Sequence, residues 1–152
     1  MGNIVTGDNS QRQIIIYCSA LPSLLALLTG DYKKSIKKEA CWTVSNITAG
    51  NTDDIQAIVD YDIFPPLIDI QAHAEFSVKK QAAWAVSNAT VRGTHQHISL
   101  LLELGAIKPL CELVECDDTQ IVSVAKRGLE NILKFGKALR ESGTPNDLID
   151  EE

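Results

Sequence analysis

The sequence predicts an all-α solenoid, and two observations carry the prediction. Residues 37–51, KKEACWTVSNITAGN, recur almost intact at 79–93 as KKQAAWAVSNATVRG, which sets Trp42 and Trp84 42 residues apart. Apolar residues around both copies follow a helical spacing: Ile36, Ala40, Val44 and Ile47, then Val78, Ala82, Val86 and Ala89, then Ile121, Ala125, Leu129 and Ile132 in a third stretch. Residues three and four apart share a helix face, so each set forms a stripe to bury against helices of its own and adjoining repeats. The composition agrees. It is 45% hydrophobic, 22% charged and only 5% aromatic, rich in Ala, Leu and Ile, and so favours helix packing over a sheet sandwich.

The elements follow in order. Residues 1–7, MGNIVTG, read as the last turns of a helix, because Asn3 precedes Ile4-Val5-Thr6-Gly7 as Asn46 precedes Ile47-Thr48-Ala49-Gly50. The sequence is therefore expected to open part-way through a repeat. A first full repeat spans 8–50. Asp8 or Asn9 caps a helix carrying Ile14, Ile15 and Ile16, and a second helix starts near Ala20 with Pro22 in its first turn, where a missing N–H costs little. A third helix holds Lys33 to about Ala49 and stops at Gly50, read as a C-cap. The second repeat, 51–93, restarts at Asn51-Thr52-Asp53. It carries Ile55, Ile58 and Val59 on one helix, Pro65 to Ile70 on the next, and a third from about Glu75 to Val91, closed by Gly93. The third repeat, 94–136, opens at Thr94, passes Pro109 and ends in a helix from about Asp118 to Phe135. Its Asn131 follows Asn88 by 43 residues, but Arg127 stands where a Trp is expected. Residues 137–152 are polar and acidic, and are expected to be an unstructured tail. A period of 42–43 residues with three helices lies in the HEAT/armadillo range, and about three repeats is near the minimum for a stable stack.

Several function classes are disfavoured. A net charge of −6 argues against nucleic acid and for a basic partner. No apolar run approaches the length of a membrane span, and no signal-peptide pattern opens the sequence. Cys18, Cys41 and Cys111 lie in apolar runs and, with Cys116, form no CxxC pair. Buried reduced thiols in a reducing compartment are expected over a disulfide or zinc. His95-Gln96-His97 looks like a metal-binding pair but lacks a third ligand, and reads as helix-start surface. The pairs Lys33-Lys34, Lys37-Lys38 and Lys79-Lys80 read as solvated faces, with docking of an acidic partner as the other use. No nucleophile, metalloprotease or phosphate-loop motif occurs, so neither catalysis nor a cofactor is expected.

The second face of the long helices is the candidate site: Glu39, Trp42, Ser45 and Asn46, then Gln81, Trp84, Ser87 and Asn88, then Val124, Arg127, Glu130 and Asn131. Stacked at about 10 Å, such faces make a ladder. An Asn amide offers donor and acceptor to an extended peptide backbone, and adjacent Trp rings make slots for Lys or Arg stems. Glu39 adds long-range attraction. The rival reading is a scaffold whose Trp ladder is structural and whose partner docks elsewhere.

KEACWTVSNITAGN and KKQAAWAVSNAT, with GNIVTG upstream and GLENILKFG downstream, resemble the armadillo repeats of importin-alpha over nearly all of residues 2–136. The resemblance implies an adaptor, shuttling between cytoplasm and nucleus, that binds basic nuclear localisation signals in a concave groove. It implies the minor site: Trp42 and Trp84 line the slots, Asn46 and Asn88 hold the peptide backbone, Glu39 and Ser45 flank the slots, and the Val5-Thr6-Gly7 turn supplies carbonyls. Gln81 replaces the family's usual Glu, and Arg12 appears near the Thr6-Gly7 pocket; both changes oppose a cationic ligand. The sequence contains neither the basic segment that recruits importin-beta, nor the early repeats of the major site, nor the final repeat. Recognition of importin-beta and of the exportin is therefore expected to be incomplete.

Overall fold

In the computed structural model, residues 20–141 are described, and they form eight helices. The Val5-Thr6-Gly7 turn, Arg12, Cys18, the helix at Ile14–Ile16 and residues 142–152 lie outside the described residues.

Helix α1 (Leu21–Thr29) places a proline in its first turn and buries Leu21, Leu24 and Leu28. Helix α2 (Lys34–Thr48) follows, then α3 (Thr52–Asp60), α4 (Phe64–His73), α5 (Phe76–Arg92), α6 (His95–Glu103), α7 (Ile107–Val114) and α8 (Thr119–Glu141). Capping sets the starts of α3 and α6. Asn51 exchanges hydrogen bonds with Asp54, and Thr94 with His97, in reciprocal capping boxes.

The turns leaving α3 and α6 are equivalent. Ile63 N–H reaches Ile58 C=O and Asp62 N–H reaches Val59 C=O; Ala106 and Gly105 bond Leu101 and Leu102 in the same pattern. This double bond closes a helix through one left-handed residue, here Asp62 (φ 56°) in the first turn and Gly105 (φ 87°) in the second. Gly93 closes α5 as its C-cap, its N–H donating to Ala89 O, whereas the C-cap of α2 is Ala49, one residue before the expected Gly50; neither glycine has a left-handed backbone. Gly93 is needed for room instead, since a Cβ there would strike the Ala89 carbonyl oxygen.

The core is one continuous apolar cluster running from Leu21 to Phe135. Its widest interfaces join the long helices, α2 to α5 and α5 to α8. Small side chains make the approach close: Ala82, Ala83, Ala85 and Ala89 of α5 are fully buried. A Cβ on Gly128 of α8 would press on Ser87 and Leu110 at 3.2–3.4 Å. Polar bonds lock the same interfaces. Thr48 Oγ1 donates to Ala85 O at 2.9 Å, Ser87 Oγ to Val124 O at 2.7 Å, and Asn131 Nδ2 to Thr90 Oγ1 at 3.0 Å.

Four expectations are corrected. Ile36 is 37% exposed, because it sits in the first turn of α2 over an open cleft beside Leu24 and Leu27. Cys111 is exposed: α7 buries Pro109, Leu110 and Leu113, and the next residue after Leu110 turns outward. Cys41, by contrast, is buried as expected, and desolvation pushes its thiol up to about 12 against the lowering effect of Lys37. His97 is buried rather than surface. Finally, α8 continues through Glu141, so residues 137–141 of the expected tail are helical; Lys137-Ala-Leu-Arg-Glu contains no breaker.

Candidate functional site

Glu39, Trp42 and Asn46 lie three and four residues apart on α2 and are all exposed, so they form one open face. Trp42 is 54% exposed, a large apolar ring turned to solvent. It stands with Ser35, Lys38, Glu39 and, from α5, Gln81 around an open cleft of about 450 Å³. The cleft thus combines an aromatic wall, one carboxylate and one carboxamide. Lys38 adds a cation to its rim.

The next rung is closed down. Trp84 is half-buried and packs against the core. Asn88 is half-buried, and its amide is already employed: Nδ2 donates to Ser45 O at 2.9 Å, and Oδ1 accepts from Arg127 Nη2 at 2.6 Å. Asn46, by contrast, is exposed and makes no side-chain hydrogen bond among the described residues. The two asparagines are equivalent in sequence and unlike in space.

Ser45, expected to flank the slots, and its equivalent Ser87 are turned inward. Both are buried, Ser45 donating to the Trp42 carbonyl and Ser87 to that of Val124. The Ser45 hydroxyl therefore bonds within its own helix, whereas those of Thr48 and Ser87 reach carbonyls of the neighbouring long helix at Ala85 and Val124. Buried hydroxyls need such partners. In the third rung Val124 is buried, Arg127 and Glu130 are exposed, and Asn131 is half-buried on Thr90.

Two of the lysines are tied between repeats. Lys34 pairs with Glu75 at 2.9 Å, and Lys80 pairs with Asp118 at 3.6 Å while lying 5.6 Å from the Phe76 ring. Each links a long helix to the start of the next, so this face is less available to an acidic partner than sequence suggested. His97 uses both ring nitrogens. Nδ1 accepts from the Thr94 N–H at 3.1 Å, and Nε2 faces Gln56 Oε1 at 2.7 Å, as the neutral Nε2–H tautomer requires.

No helix among the described residues is long and apolar enough to cross a membrane.

Comparison with known proteins places these features in context. The Armadillo/beta-catenin-like repeat pattern matches residues 8–49, 51–91 and 94–134. The chain is 57% identical to importin subunit alpha-1b of Oryza sativa subsp. japonica over 143 residues, which is 94% of this chain and 27% of that one. It is 60% identical to importin subunit alpha-4 of Arabidopsis thaliana over 117 residues, 77% of this chain and 22% of that one. The chain therefore spans about a quarter of the length of these curated relatives. Among solved structures, a designed armadillo repeat protein in complex with the peptide (KR)4 superposes with a TM-score of 0.76 at 32% identity, covering 93% of this chain and 60% of that one. A computationally designed armadillo repeat protein for modular peptide recognition superposes with a TM-score of 0.75 at 31% identity, again covering 93% of this chain and 60% of that one.

Proposed function

On the premise that the chain belongs to the Armadillo/beta-catenin-like repeat family, we propose that it is a peptide-binding module holding an extended basic segment of the nuclear-localisation-signal class along α2 and α5. The observation that carries this reading is the exposed Trp42 ring beside Glu39 and Gln81 in an open cleft. A Lys or Arg stem lies against the indole, gaining about 0.5–2 kcal/mol from the cation–π contact, and its charge faces the Glu39 carboxylate. Asn46, with its carboxamide open to solvent, pairs with one peptide unit of the ligand backbone.

The identity with importin alpha subunits supports this ligand class, as does the likeness to a designed repeat protein whose partner is (KR)4. In the importin-like reading the cleft is the minor site, the ligands are cargo proteins, and the protein moves between cytoplasm and nucleus. The part played by Trp84 and Asn88 is smaller than that of Trp42 and Asn46, because packing and internal hydrogen bonds already hold them.

The test is a titration of a fluorescent basic nuclear-localisation peptide against the parent and Trp42→Ala, at low and high salt, with circular dichroism as the folding control. Binding that weakens with salt and is lost in the folded variant supports the groove. Equal affinity in both proteins would point instead to a structural Trp ladder and a partner docked elsewhere.

A further inference from the structure

We infer that Arg127 reverses the charge preference of the groove at the Asn88 rung, so that the ligand carries a basic residue at the Trp42 cleft and an acidic one at Arg127. This rests on the peptide-groove reading above. Arg127 occupies the position where the repeat places Trp42 and Trp84, and it reaches back across the interface between α5 and α8. Its Nε donates to Ser87 Oγ at 3.2 Å and its Nη2 to Asn88 Oδ1 at 2.6 Å.

Both acceptors are neutral. No carboxylate of the described residues lies in ion-pair range of the guanidinium, and Glu130, one turn further along α8, does not pair with it. An exposed guanidinium carries further N–H donors in a planar fork suited to a carboxylate. A peptide Lys or Arg at this rung would meet a fixed cation and would also have to compete with it for the Asn88 oxygen. A peptide Asp or Glu meets a cation already oriented by two hydrogen bonds.

Stacked helices about 10 Å apart and an extended chain rising about 3.3 Å per residue set the two peptide positions about three residues apart. The groove thus reads a basic residue and an acidic residue at that spacing, rather than an unbroken basic run.

The test uses labelled peptides sharing one basic residue, with Glu, Gln or Lys placed about three residues away on either side. Fluorescence anisotropy at low salt reports their affinities for the parent, Arg127→Gln and Arg127→Glu, with circular dichroism on each. The net charge of −6 favours the Lys peptide at long range, so a preference for Glu reports the local field. The parent is expected to prefer Glu to Lys by about fivefold, the scale of an exposed charge pair, Arg127→Gln to lose that preference, and Arg127→Glu to invert it. Should Arg127→Glu not fold, the Gln variant carries the test, since its amide still donates to Asn88. Basic-peptide binding with the same ranking in the parent and Arg127→Gln, or a parent that prefers Lys, overturns the inference alone. A folded parent that binds none of the peptides overturns both the groove reading and the inference built on it.

Discussion

The Arg127 guanidinium donates to the Asn88 carboxamide at 2.6 Å, whereas Asn46, one repeat earlier, makes no side-chain hydrogen bond among the described residues. One motif has therefore been put to two uses. At Asn88 the amide is a brace between α2, α5 and α8; at Asn46 it is open to solvent.

Substitution should separate these uses. Asn46→Ala is expected to change stability by less than about 0.5 kcal/mol, as an exposed site does, while weakening basic-peptide binding. Asn88→Ala is expected to cost about 1–2 kcal/mol in urea denaturation, because it removes the two hydrogen bonds by which the amide joins Ser45 and Arg127. Equal stability losses in the two variants would contradict the assignment.

Asp62 occupies the left-handed position that Gly105 fills in the next repeat. Asp62→Gly is expected to stabilise the protein by about 0.5–1 kcal/mol, because glycine adopts that backbone without a Cβ penalty. A lowered thermal midpoint would show that the Asp side chain contributes more than the strain costs.

Gln71 of α4 is fully buried, and neither polar atom of its amide has a hydrogen-bond partner among the described residues. Gln71→Met keeps the length and removes the unpaired groups, and is expected to raise stability by about 1–3 kcal/mol. Denaturant melts that show a loss instead would mean that the amide is bonded in solution.

His97 has its pKa lowered, first by burial and against the opposing charge of Asp60. A group held neutral in the fold contributes stability above its unfolded pKa of about 6.5, and that stability is lost as pH falls toward the lower folded value. Protonation also removes the Nδ1 acceptor of the Thr94 N–H. Denaturation midpoints should fall between about pH 7 and pH 5 in the parent and fall less in His97→Gln. Parallel pH profiles would remove His97 from the account.

The helices were legible because their signals are local. Pro22, Pro65 and Pro66 mark helix starts, Asn51 and Thr94 cap, and the 42-residue echo of the Trp motif sets the repeat. What sequence misplaced depends on neighbours. Ser45 and Ser87 share a helical face with Trp and Asn but sit close enough to the adjoining helix to be swallowed by it. Cys111 looks apolar by context, yet the direction of α7 decides its exposure. The departure at Arg127 was visible as a missing Trp, but its hold on Asn88 exists only once α5 and α8 are packed.

The most direct test of the groove reads the two tryptophans themselves. The chain contains only Trp42 and Trp84, so a 15N-labelled sample gives two indole N–H signals, assigned by a single Trp84→Phe variant. On addition of a basic nuclear-localisation peptide, the Trp42 indole is expected to shift in a saturable, salt-sensitive manner, and the half-buried Trp84 indole to shift less. Peptide binding that leaves the Trp42 signal unmoved would contradict the account and place the ligand on another face.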